Sequence, residues 1–297
     1  MRVDPFYVVN LSSALDQTQL TQQQLSAEIS SGVAVTSIGQ NPVASAENVQ
    51  LLSEIQTDDS FTQTSSLTQG LLQVTDSTLG SVVTQLNEAI SLATQANSGT
   101  QNASDLKAIS SQIAGVRDEI LSLANTAYQG QYIFAGSETG TAPFTLNSST
   151  SPASVTYSGN TDTNTLKSPN GQSIQLNLPG SQVFTSATAN VLGALNDLVA
   201  DFANGTTGNG VADLEALNTA TNFVSQQRVT IDNSINRLTA SSAAASTEAT
   251  QLTVVQTDLM QADIPSISTQ LSLAESQQTA LTNVISALGS GSLFDKL

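Results

Sequence analysis

"IDNSINRLTASSAAASTEATQLTVVQTDL", residues 231–259, places Ile231, Ile235, Leu238, Ser242, Ala245, Ala249, Leu252, Gln256 and Leu259 at spacings that alternate four and three without a slip. A repeat of about 3.5 residues held that long is the seam of one helix lying along another. Small residues at several seam positions bring the partner close. Pro265 interrupts, and the repeat resumes through Ile264, Ile267, Leu271, Ala274, Gln278, Leu281, Ile285 and Leu288.

A weaker stripe of the same kind lies at the other end of the chain, in Leu11, Leu15, Thr18, Gln22, Leu25 and Ile29. Gly32, Gly39 and Pro42 then break it, and Pro42 suits the first turn of a following helix. That helix is expected from about 43 to 98, clearest at Leu79, Val82, Leu86, Ala89 and Ala93. At about 1.5 Å per residue it spans roughly 80 Å. After the loop 97–104, Ser104 and Asp105 offer a capping oxygen and negative charge for a helix running to about 129.

Residues 136–186 differ in kind, with Pro143, Pro152, Pro169 and Pro179 among many Gly, Ser, Thr and Asn. "SVTYSG" (154–159) and "SIQLNL" (173–178) alternate with the period of strands, and "SPNG" (168–171) is a turn between strand-like runs. A short helix at about 190–203 and a loop at 204–210 lead back to the seam.

The two ends look alike and the middle does not. The expected fold is therefore mainly α: a long antiparallel helical bundle or coiled coil formed by both chain ends, with a small β-rich insert at its tip. Residues 1–40 and 262–297 form terminal helices, 41–135 and 187–261 the bundle, and 136–186 the insert. Such an insert is expected to be dispensable for folding of the helices. In "GQYIFAGSETGTAPF" (130–144), Tyr132, Phe134 and Phe144 stand where bundle hands over to insert, in a chain with only 4% aromatics. They are expected to plug that junction as core. Leu11, Leu15, Leu25, Ile29, Ile267, Leu271, Ala274, Leu281, Ile285 and Leu288 lie on terminal stripes with little else to bury, and are expected to serve assembly with neighbouring subunits.

Composition excludes whole classes of function. The formal net charge is −17, with 7 Lys and Arg in 297 residues. No stretch offers the basic patch that nucleic acid requires, and an anionic membrane surface is disfavoured alike. Cys, His and Trp are absent, which removes disulfides, thiolate chemistry, the usual zinc sites and the Ser–His pair. No run reaches the length of a membrane span, so no membrane insertion is expected. Phe6–Val9 is too short for the apolar region of a Sec signal peptide.

Three patterns suggest ligands and fail on detail. "NTDTN" (160–164) alternates oxygen ligands as a calcium loop does, but Thr165 stands where that loop needs Gly and Gly171 where it needs Glu. "GNGVAD" (208–213) has no strand before it, as a phosphate loop would. Asp58 and Asp59 are adjacent, hence on different helix faces. No metal, cofactor or catalytic residue is expected, and no enzyme. A carbohydrate hydrolase would need paired carboxylates on a folded domain, and 136–186 holds only Glu138 and Asp162.

The ends resemble the flagellin superfamily. "LSSALDQTQLTQQQLSAEISSGVAVTSIGQNPVASA" (11–46) is similar to its N-terminal signature, with Ser31-Gly32 and Pro42-Val43-Ala44 matching. Val33 stands where a basic residue is usual, and Gln40-Asn41 where acidic residues are usual. "GQYIFAGSETGTAPF" (130–144), "VTYSGN" (155–160) with "LPGSQVF" (178–184), and the ending "SLFDKL" (292–297) resemble the hook–filament junction branch more than the filament subunit, flagellin, which is the alternative. The resemblance implies a structural subunit of the bacterial flagellum, secreted through type III export. It implies a ring of copies of itself, contact with the first hook-associated protein and with flagellin, and a cytosolic export chaperone before secretion.

Overall fold

The computed structural model describes residues 5–35, 39 and 41–290, with backbone only at 5–8 and 288–290. Leu288 as a side chain, Gln40 and the ending 292–297 thus lie outside the described residues. Among those described, the chain is mainly helical, with three small antiparallel strand pairs. It divides into two compact units, Met1–Thr57 with Thr247–Leu297, and Asp58–Ser246.

The second unit is built on α2 (Pro42–Ala96) from Asp58 onward and on α6 (Gly210–Met260) as far as Ser246. The two run antiparallel there. Arg228 donates from Nε and an Nη to the two carboxylate oxygens of Asp76 at 2.8 and 3.0 Å, and Asn97 Nδ2 donates to Gly210 O at 3.0 Å. Residue numbers climb along one helix as they fall along the other.

α3 (Ala103–Ala124) and α5 (Val191–Ala203) cover the pair. The start of α3 differs from the sequence expectation. Asn102 is the N-cap: its Oδ1 accepts from Ser104 N at 2.8 Å and Asp105 N at 3.0 Å, and the Asp105 carboxylate accepts from Asn102 N at 3.1 Å. Ser104 therefore lies inside the first turn. Asp105 closes a capping box, which satisfies amides that a helix start leaves open.

α3 also stops five residues before the expected end. Ala127–Tyr128 (β1) and Gln131–Tyr132 (β2) form a hairpin whose two turn residues, Gln129 and Gly130, have φ of 51° and 81°. A two-residue turn of that hand needs positive φ at both positions, and no run of helix formers competes there.

Leu72, Leu79 and Leu86 of α2, Ile113 and Ile120 of α3, Leu192 and Leu198 of α5, and Leu217 and Val224 of α6 form one connected core. The insert's strands pair as β3 (Phe144–Asn147) with β4 (Ser154–Tyr157) and β5 (Thr165–Lys167) with β6 (Ser173–Gln175), with Ser168–Gly171 as the turn and α4 (Gly180–Val183) following. Its inner residues Phe144, Ile174, Leu178 and Phe184 belong to that same core.

The first unit contains α1 (Pro5–Ser31), the start of α2, the end of α6, and α7 (Ile264–Ser290). Pro42 opens α2, with Asn41 Oδ1 accepting from Ala44 N at 3.1 Å. Asp263 Oδ1 accepts from Ser266 N at 3.1 Å at the start of α7, beside Pro265.

Candidate assembly interface

α1 and α7 pack against each other. Leu25 and Ile29, near the end of α1, cluster with Ile267 and Leu271, near the start of α7, so the helices are antiparallel. The stripes read from sequence are the faces that meet. On α1, Leu25 is buried and Leu11, Leu15, Thr18, Gln22 and Ile29 are half-buried; on α7, Ile267 and Ala274 are buried and Leu271, Gln278, Leu281 and Ile285 half-buried. Ile264, the first of the expected seam, is 38% exposed, because it precedes the turn at which α7 settles onto α1.

The joint beside this pair is held by backbone. Val33 and Gln261 form an antiparallel bridge, with Ala262 N donating to Gly32 O at 3.0 Å and Ala34 N to Met260 O at 2.7 Å. Gln256 Nε2 donates to Asn48 Oδ1 at 2.8 Å. An uncharged cleft of about 490 Å³ opens there, lined by Gly32, Val33, Asn48, Gln256, Thr257, Met260 and Gln261. Val33 holds no charge to offer a neighbour, and Asn41 is used in capping α2.

Large apolar side chains remain exposed on this unit: Val9 (60%) and Leu20 (65%) on α1, Leu273 (59%) and Val284 (41%) on α7, with Val43, Val49, Leu52, Val254, Val255 and Ile264 nearby in sequence. Only Leu67, Val211 and Val229 are comparable on the second unit among the described residues. The sequence reading passed over Val9, Leu20, Leu273 and Val284. A signal was present: in each helix the two are eleven residues apart, three turns, and so share a face.

At the junction with the insert, Phe134 and Phe144 are buried and Tyr132 is half-buried in the hairpin. The first two meet a partner the sequence reading did not single out. Phe184 lies edge-on to both, with ring centroids 5.1 Å from Phe134 and 5.4 Å from Phe144, and Tyr157 is 4.9 Å from Phe144. Such tilted and edge-on pairs are favoured by the ring quadrupoles. Asn125, just past α3, clamps Phe144 like a strand: its Nδ2 donates to Phe144 O and its Oδ1 accepts from Phe144 N, both at 2.9 Å.

Glycines allow this closeness. A Cβ on Gly180 would stand 2.6 Å from the Phe144 ring, and one on Gly136, whose φ is +72°, would strike Asn160. Tyr157 donates its hydroxyl to Phe134 O and Asn160 O at 3.0 and 2.7 Å, and burial pushes its pKa up.

Asp197 and Asp213 are pushed above the usual carboxylate range, first by burial and then by the charge of Asp201. Asp201 itself accepts from Asn209 N at 3.2 Å, and Asp213 Oδ2 is buried without a hydrogen-bond partner. Among the described residues no group of three metal-ligating side chains could hold an ion, and no helix is long and apolar enough to cross a membrane. "NTDTN" is irregular chain tied down by hydrogen bonds, in which Ser137 Oγ donates to Asp162 and Asn177 Nδ2 donates to Asp162 O.

A model of the bacterial flagellin N-terminal helical region matches residues 7–139. Flagellar hook-associated protein 3 of Salmonella typhimurium is 28% identical over 182 residues, 61% of this chain and 55% of the relative. The protein of that name from Escherichia coli is 29% identical over 167 residues, 56% of this chain and 50% of the relative. The matched region thus spans about half the length of these curated relatives. A flagellar hook-associated protein structure from Vibrio parahaemolyticus shares the fold with a TM-score of 0.65 at 22% identity, covering 75% of this chain and 100% of that one. Bacillus cereus FlgL does so with a TM-score of 0.54 at 21% identity, covering 70% of this chain and 97% of that one. Over residues 7–139 the chain is thus similar to the flagellin N-terminal helical region, and it shares the fold of these two solved structures.

Proposed function

We propose that this protein is a non-enzymatic structural subunit of the bacterial flagellum that joins hook to filament, and that its terminal helices are its assembly elements. The observation that carries this reading is the concentration of exposed large apolar residues on the unit that contains α1 and α7. Apolar surface of that extent on one part of a chain marks an interaction surface. The curated relatives, named flagellar hook-associated protein 3, support a place in the flagellum.

In this reading α1 and α7 form a coiled pair through Leu11, Leu15, Leu25, Ile29, Ile267, Leu271, Ala274, Leu281 and Ile285. That pair offers Val9, Leu20, Leu273 and Val284 to neighbouring copies in a ring. The first hook-associated protein meets the ring on one side and flagellin on the other. Before secretion through the flagellar export apparatus a cytosolic chaperone covers the C-terminal segment. Nucleic acid, cofactor and metal have no part. The chain is organised as terminal helices (1–40 with 262–297), a bundle (41–135 with 187–261) and an insert (136–186) that shares the bundle's core.

The test is to label the native protein in intact flagella and image it. A single focus where hook meets filament is expected. Label along the whole filament makes the protein a filament subunit, and absence of label from flagella removes the reading.

A further inference from the structure

Within the second unit, α2 and α6 pack in two different ways. From Leu72 to Ala96 the residues that α2 buries are apolar except Thr75 and Thr78, and they join one core with α3 and α5. From Asp58 to Thr68 the stripe keeps the same spacing but buries Asp58, Phe61, Ser65 and Thr68, of which Phe61 alone is apolar. α6 contributes Ser234, Leu238, Ser241 and Ala245 over Ser234–Ser246. The connected core ends at Leu72 on α2 and at Leu238 on α6, and Phe61 and Ala245 are buried outside it.

Thr68, Thr75 and Thr78 each donate to the carbonyl four residues earlier, at 2.9, 2.9 and 2.8 Å. Thr62 Oγ1 and Ser65 Oγ are buried with no hydrogen-bond partner, and Ser65 is fully buried. An unpaired buried hydroxyl is a cost that a folded chain removes by opening, and few apolar contacts oppose the opening here.

We propose that Asp58–Thr68 of α2 and Ser241–Ser246 of α6 form an opening segment, in which the two helices part and their backbone hydrogen bonds locally break and re-form while the core of α2, α3, α5 and α6 stays folded. Local opening occurs where buried apolar contact is least, and this section has both that and two unpaired hydroxyls. The inference does not rest on the flagellar reading.

Amide hydrogen exchange on the full chain, read by mass spectrometry and corrected for intrinsic rates, tests it. Residues 59–67 and 241–245 are expected to exchange about a hundredfold faster than 80–93 and 109–120, a spread ordinary between sub-global and global opening. Ser65→Ala removes one unpaired hydroxyl and should slow the segment about tenfold, leaving the core rates unchanged. Ser60→Ala, exposed and one turn away, carries the same gain in helix propensity and should slow the segment less than about threefold. Equal protection of segment and core overturns the proposal. So does Ser65→Ala slowing the core as much as the segment, since opening is then global.

Discussion

Asn125 holds Phe144 by two hydrogen bonds from one side chain, in a position that no regular element covers. Asn125→Ala leaves a buried strand end unpaired, and should cost about 1–3 kcal/mol in thermal or denaturant unfolding. Phe184→Ala removes a fully buried ring that touches two others, and should cost about 3–5 kcal/mol. The acidic corner gives a pH effect of definite sign. Burial and Asp201 raise the pKa values of Asp213 and Asp197, so the folded chain holds these protons more tightly than the unfolded chain. Their contribution to stability is present below the ordinary carboxylate pKa of 3.8, and is lost as pH rises through the raised values. Asp213→Asn removes one member of the cluster. Its melting temperature should exceed that of the parent at pH 7 and match it near pH 4. A gain equal at both pH values would place the effect elsewhere.

At the scale of elements, the terminal pair separates packing within the chain from contact between chains. Leu281 is half-buried on the face that α7 turns toward α1, whereas Leu273 is 59% exposed. Leu281→Asp should loosen α1 from α7, seen as faster proteolysis of both terminal helices. Leu273→Asp should leave proteolysis and melting as they are, and abolish attachment and motility in a complemented deletion strain, because an unpaired carboxylate in a desolvated interface costs several kcal/mol. Motility unchanged by Leu273→Asp would remove that face from the interface.

The helices were legible in the sequence wherever a stripe ran on for several turns, as in 231–259, because burial on one face leaves a period that composition cannot hide. Their ends were less so. Asn102, rather than Ser104, caps α3, since Asn and Ser are near-equal caps and only the backbone decides between them. The hairpin at 127–132 was hidden because Gln129, not Gly or Asn, takes the first positive φ. Phe134 and Phe144 could be read as core from aromatics set among glycines, but Phe184, in "QVFTSA", carries no such mark and is placed by tertiary packing alone.

At the scale of the whole molecule, stability is unevenly held. The first unit's buried cluster consists of Leu25, Ala262 and Ile267, with partly buried neighbours. The second unit's cluster joins α2, α3, α5 and α6 to the insert without a break. From sequence, the insert is expected to be dispensable, because its composition and period differ from those of the helices. A shared core argues otherwise. Replacing 141–180 by a short Gly/Ser linker deletes Phe144, Ile174 and Leu178, and leaves Phe184 without one of its two ring partners. Each large side chain lost from a core costs about 2–5 kcal/mol, and a domain has only about 5–15 kcal/mol in hand. The deletion should therefore abolish the cooperative melt of the second unit, with helical circular dichroism per residue falling as α3 and α5 lose their cover. Shortening the exposed loop 148–152, which joins β3 to β4 and buries no residue, is the control and should leave the melt intact. If the 141–180 deletion melts cooperatively at the parent's temperature, the insert is a separate domain and the shared core contributes little to the fold.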